Sequence, residues 1–227
     1  MANSVLVIAD SGTGKSTSIR TLDPKETFII NIANKPLPFK GWKSKYTQIT
    51  KDNPKGNLTS AATAPGIIKA MRHVNDKMGH IKTIVVDDWQ YMSSFEYFDR
   101  ANEKGYEKFT QIAANLAQVA KLPKDLRDDL TIIFLTHSED STDINGNRKI
   151  KAKTVGKMID NTLTLEGLFS IVLFGKVNKN DDGELEYGFE TQNNGENTCK
   201  SPMGMFEDKF IKNDLQFVTS CIEEYNK

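Results

Sequence analysis

Short apolar runs separated by helical periodicities organise this chain. Val5, Leu6, Val7 and Ile8 form the first run, and Phe28, Ile29, Ile30 and Ile32, within residues 25–32, form the second. Ile84, Val85 and Val86 make the third, and Leu130, Ile132, Ile133, Phe134 and Leu135 the fourth. Runs this short and β-branched, bounded by turn residues, predict buried strands. Ile67, Ile68, Met71, Val74 and Met78 recur at helical spacing and predict a helix of about three to four turns. Residues 91–121 read as helical, interrupted at Gly105, with a packing face of Ile112, Leu116, Val119 and Ala120 and an end at Pro123.

The second half reads differently. Asn145-Gly146 between extended segments is a strong hairpin signal. Residues 169–177 predict a long strand, residues 180–183 a turn and residues 184–192 the returning strand. A short helix is expected near 158–165, a short strand at 46–49 and surface loop over 51–65. A closing amphipathic helix over 214–222 has Asn213 or Asp214 as its cap. Together these elements predict an α/β fold in a single domain over 1–227, extended by hairpins near 143–157 and 168–192 and by a C-terminal helix over 213–226.

Composition narrows the class. Hydrophobic residues make up 38% and charged residues 26% of the 227, which suits a globular domain on the polar side. No apolar run approaches a membrane span, and Met1, Ala2, Asn3 and Ser4 lead straight into a strand, leaving no room for a signal peptide. A cytoplasmic protein is therefore expected, with Cys199 and Cys221 as reduced thiols, since their spacing suits neither a metal site nor a redox pair. Formal net charge is zero, which argues against global attraction to nucleic acid but leaves room for a local basic stripe.

Candidate chemistry begins after the first strand, at Ala9-Asp10-Ser11-Gly12-Thr13-Gly14-Lys15-Ser16-Thr17. A glycine loop between a strand and a helical segment is the context of a phosphate-binding loop. Backbone N–H groups of Ser11, Gly12, Thr13, Gly14, Lys15, Ser16 and Thr17 would cradle phosphates. Lys15 would place its charge on them, and the Ser16 hydroxyl would ligate Mg²⁺. Ala9 stands where the pattern has its first glycine. The third run ends in Asp87 and Asp88; Asp87 is the candidate for the Mg²⁺ shell, and either carboxylate is also suited to cap the following helix. The fourth ends in Thr136 and His137, with His137 placed to sense a γ-phosphate or polarise a water; both residues also suit plain loop hydrogen bonding. Arg148, Lys149, Lys151 and Lys153, with Lys157 beyond, form a basic arm containing no acid. Such an arm fits a phosphate backbone, a neighbouring subunit's nucleotide, or a strand edge protected by lysines.

Taken together, the phosphate loop, the Asp87-Asp88 strand, the Leu135-Thr136-His137 tip, Lys153 with Gly156 and Lys157, and Lys200-Ser201-Pro202 resemble phage-encoded nucleotide-binding proteins of the RecA-like division, some regarded as single-strand annealing or recombination proteins. The resemblance implies a three-layer RecA-like P-loop core with a mostly parallel sheet, ATP with Mg²⁺, rings or filaments, and single-stranded DNA as partner. One departure stands out. RecA-type recombinases carry a catalytic glutamate just after the second strand, where this chain reads Asn31-Ile32-Ala33-Asn34-Lys35. Asp88 is then the candidate water-activating base, and slow hydrolysis is expected. The leading expectation is a Mg-ATP-dependent ATPase handling single-stranded DNA. Lys153, Lys157 or Lys200 is expected to approach a neighbour's nucleotide. The alternatives are a small-molecule nucleotide kinase, for which no arginine-rich lid is visible, and an assembly module with little hydrolysis.

Overall fold

A computed structural model describes residues 1–142, 146, 148–155, 163–180 and 182–227. The predicted turn residue Asn145, the candidate Lys157 and most of the helix expected near 158–165 lie outside the described residues.

The strands are β1 (Asn3–Ala9), β2 (Thr27–Asn31), β3 (Leu58–Thr59), β4 (Thr83–Asp87), β5 (Thr131–Thr142), β6 (Arg148–Ala152), β7 (Ile171–Lys179), β8 (Leu185–Glu190) and β9 (Phe210–Lys212). The helices are α1 (Trp42–Lys45), α2 (Ala64–Lys77), α3 (Gln90–Asp99), α4 (Glu107–Lys121) and α5 (Leu215–Tyr225). The sheet runs β3-β2-β4-β5-β1-β7-β8-β9. It is parallel from β3 to β7 and antiparallel from β7 to β9, with β6 pairing the far half of β5.

Alternate residues of the apolar runs enter two different cores, which is why those runs show no polar alternation. Leu6, Ile8, Phe28, Ile30, Ile84, Val86, Ile132 and Phe134 pack with Ile67, Met71 and Val74 of α2 and Ile112, Leu116 and Val119 of α4. Val5, Val7, Ile29, Val85, Ile133 and Leu135 pack on the other face with Ile19 and with Leu215, Val218 and Ile222 of α5. The result is a three-layer α/β P-loop core with a mostly parallel sheet, as the sequence implied. Thr63 caps α2 by accepting from Gly66 N–H, and Asp214 caps α5 by accepting from Phe217 N–H.

Several local expectations shift. The helical segment expected after the phosphate loop is a 3₁₀ helix, Ser16–Thr21. Residues 46–49 give a single bridge, Gln48 to Leu58, and the expected loop over 51–65 contains β3. β5 does not stop at His137; it continues to Thr142 and leaves the main sheet to pair with β6. Among the described residues no helix is long and apolar enough to cross a membrane.

Candidate nucleotide site

The site lies at the carboxyl ends of the parallel strands, where β1, β2, β4 and β5 deliver their terminal residues together. In register, Ala9 of β1 faces His137 of β5 on one side and Gly175 of β7 on the other. A Cβ on Gly175 would sit 2.7 Å from that of Ala9. Alanine is thus accommodated at the first position of the loop motif because the neighbouring strand gives up its side chain there. Gly12 and Gly14 have φ of 85° and 84°, left-handed values that glycine adopts without a Cβ penalty. Thr13 Oγ1 donates to Asp10 O at 2.8 Å, and Ser138 Oγ donates to the Asp10 carboxylate.

Lys15 is only 6% exposed. Burial pulls its pKa down, opposed by the charges of Asp88 and Asp87. Ser16 Oγ donates to Asp87 Oδ1 at 2.7 Å. Burial, reinforced by the charge of Asp88, pushes the Asp87 carboxyl up to about 6. Asp88 takes a left-handed φ of 59°, so the chain turns sharply as it leaves β4. Neither carboxylate caps α3, whose first turn has no side-chain cap. Burial also works against the Asp88 charge, but hydrogen bonds from His137 and Lys35 outweigh it and hold the carboxyl down at about 2. Lys35 Nζ lies 2.5 Å and His137 Nε2 3.4 Å from that carboxylate. The Thr136 hydroxyl is buried and has no hydrogen-bond partner.

A cavity of about 570 Å³ opens over these groups, lined by Ser11, Gly12, Gly14, Lys15, Ser16, Thr17, Lys35, Asp88 and His137. Asp87 does not line it and is joined to it through the Ser16 hydroxyl. The Ser16–Asp87 oxygen pair suits Mg²⁺, which takes oxygen ligands, keeps several waters and draws its remaining ligands from phosphates. Among the described residues no cluster of three or more His, Cys, Asp or Glu could hold a metal without such help.

Tyr187, Asn213 and Arg20 were not expected from the sequence as site residues, Asn213 only as a helix cap, and all three line the cavity. Asn213 Nδ2 donates to Gly14 O at 3.1 Å while its Oδ1 accepts from Arg20 at 2.8 Å, so the C-terminal extension clamps the phosphate loop. Of the two cap candidates, Asp214 takes the cap and Asn213 the loop. Tyr187 comes from β8, and no local motif points to it.

The basic arm meets acids on its partner strand. Arg148 pairs with Asp140 at 2.9 Å and Lys151 with Glu139 at 3.1 Å, while Lys149 Nζ donates to Gly195 O at 2.5 Å. Acids are absent from the arm itself, but the extension of β5 supplies them across the ladder. Lys153 is exposed, and its backbone N–H donates to His137 O at 2.8 Å. Lys200 is exposed on a backbone bridge to Val172. None of Arg148, Lys149, Lys151, Lys153 or Lys200 lines the cavity.

A protein-family model described as an AAA domain matches residues 1–203. No curated protein matches the chain. The match spans the loop, both carboxylates, His137 and β8, and stops short of Asn213 and α5. The chain belongs to this AAA-domain family, and residues 1–203 are an AAA-type P-loop ATPase domain.

Proposed function

We propose that the chain binds Mg-ATP in the 570 Å³ cavity and hydrolyses it slowly to ADP and phosphate. The observation that carries this reading is the Ser16–Asp87 hydrogen bond at the cavity floor, with the buried Lys15 beside it. The loop N–H groups and Lys15 hold the phosphates; Mg²⁺ held by Ser16 and Asp87 neutralises developing charge when bound. Asp88 and His137 orient the attacking water and receive its proton. A carboxyl held near 2 is a weak base. A loose phosphoryl-transfer transition state asks more for positioning than for base strength, which fits a slow rate.

The purpose of hydrolysis in this reading is the handling of single-stranded DNA, in annealing, recombination or replication support by a phage-encoded protein that assembles into rings or filaments. It rests on the sequence resemblance and on the exposed Lys153 and Lys200. The ion pairs of Arg148 and Lys151 lower the attraction this surface would otherwise have. Titration of labelled single-stranded DNA with and without an ATP analogue, at low and physiological salt, tests it. ATP-dependent binding with assembly in sizing runs is expected; no binding at either salt removes the DNA reading.

A further inference from the structure

Four residues after the end of β2 the chain places Lys35, which lines the cavity. Its backbone is held directly by Asn31 and through its neighbour Asn34. Asn31 Nδ2 donates to Lys35 O at 2.6 Å, Asn34 takes a left-handed φ of 51°, and Ser60 Oγ donates to Asn34 Oδ1 at 2.7 Å. The side chain crosses the Tyr91 ring, with Nζ 5.6 Å from its centroid, and ends on Asp88. The two ends of that ion pair differ: the Lys35 side chain is 57% exposed and that of Asp88 is 2% exposed. The carboxylate is fixed by its burial, whereas the lysine stem lies largely in water and is free to move; leaving Asp88 costs the ion pair, a cost that the arriving phosphate has to offset.

Charge makes such a departure useful. Lys15 and Lys35 balance Asp87 and Asp88 across the cavity. A terminal phosphate arriving beside Asp88 would face a bare carboxylate if Lys35 were neutral. A lysine between them can bridge both anions, or move onto the phosphate and release Asp88 toward a water. We propose that Lys35 is a γ-phosphate-contacting catalytic residue: it exchanges its Asp88 pair for the terminal phosphate of a bound nucleoside triphosphate, and thereby selects triphosphate over diphosphate. This deepens the ATPase reading above and rests on it.

The test is equilibrium binding of a non-hydrolysable ATP analogue and of ADP, each with Mg²⁺, to the wild-type chain, Lys35→Gln and Lys35→Arg. Lys35→Gln is expected to weaken the analogue about tenfold or more while changing ADP about twofold or less, with Lys35→Arg retaining most of the preference. Equal loss for both nucleotides, or no loss for either, overturns the proposal, because a lysine that merely steadies Asp88 cannot tell the two apart. Melting of the nucleotide-free variants near wild type separates these outcomes from misfolding, and a variant that melts far below wild type also overturns it, since the swing requires a dispensable pair. Failure of the wild type to bind either nucleotide overturns the ATPase reading and this one with it; a wild type that binds both, with an unchanged ratio in Lys35→Gln, overturns this one alone.

Discussion

Two regions of the molecule set lysines against carboxylates, and burial separates what those pairs do. At the cavity, Lys15 is 6%, Asp87 4% and Asp88 2% exposed. On the β5–β6 hairpin, the side chains of Arg148 and Asp140 are 60% and 65% exposed. Charges removed from water interact strongly and shift one another's protonation, whereas exposed pairs are screened and contribute little. The cavity cluster therefore has chemical consequences, while Arg148–Asp140 mainly cancels part of a basic stripe; Lys151–Glu139, with side chains 26% and 27% exposed, lies between the two cases.

The comparison breaks most sharply at Lys15. Lys15→Ala is expected to cut Mg-ATP affinity about a hundredfold, the loss that follows removing a buried charge-assisted contact; isothermal titration measures it. Next comes Asp87. Its carboxyl rises from an ordinary 3.8 to about 6 in the folded chain, so the folded state holds its proton more readily than the unfolded chain does. Burying this charge therefore opposes folding above pH 6, and the opposition fades as pH falls toward 3.8. Asp87→Asn should raise the stability of the nucleotide-free protein at pH 7.5 by about 2 kcal/mol, while removing Mg²⁺-dependent hydrolysis. Chemical denaturation at pH 7.5 and pH 4.5 checks the first, with the gain shrinking at the lower pH; phosphate release checks the second.

Gly175→Ala comes third. The added methyl would meet the Ala9 Cβ at 2.7 Å with strand backbone on both sides, and the expected cost is about 1–3 kcal/mol with a weakened phosphate loop. The double change Ala9→Gly with Gly175→Ala should recover part of that loss in thermal melts. Smallest is the hairpin: Arg148→Ala should change stability by less than about 1 kcal/mol, and nucleotide affinity not at all.

How far the sequence reached follows from the range of the interactions. Ser11 through Thr17 could be read because one local backbone shape demands its glycines, lysine and hydroxyl in consecutive order. Asp87, Asp88 and His137 were visible because each follows an apolar run, and the apolar runs of neighbouring parallel strands end at the same level of the sheet. Gly175, Tyr187 and Asn213 were not, because each acts on the loop through a partner more than 150 residues away in the chain. The hairpin expected around Asn145-Gly146 forms between β5 and β6, but the partners of its basic arm were missed for the same reason at shorter range. Its basic residues are close together in the sequence, but their countercharges, Glu139 and Asp140, lie in the extension of β5 beyond the apolar run that marked the strand. Lys35 was visible only as the absence of an acid; its meaning depends on the turn at Asp88 that brings the carboxylate to it.

The central claim is that the buried cluster at the carboxyl ends of β1, β4 and β5 is a triphosphatase site. Phosphate release from Mg-ATP, comparing wild type with Lys15→Ala in the presence and absence of single-stranded DNA, addresses it most directly. The account predicts slow, Mg²⁺-dependent release from wild type that drops to background in Lys15→Ala under both conditions. Equal release by the two proteins, or none from wild type in either condition, would contradict it.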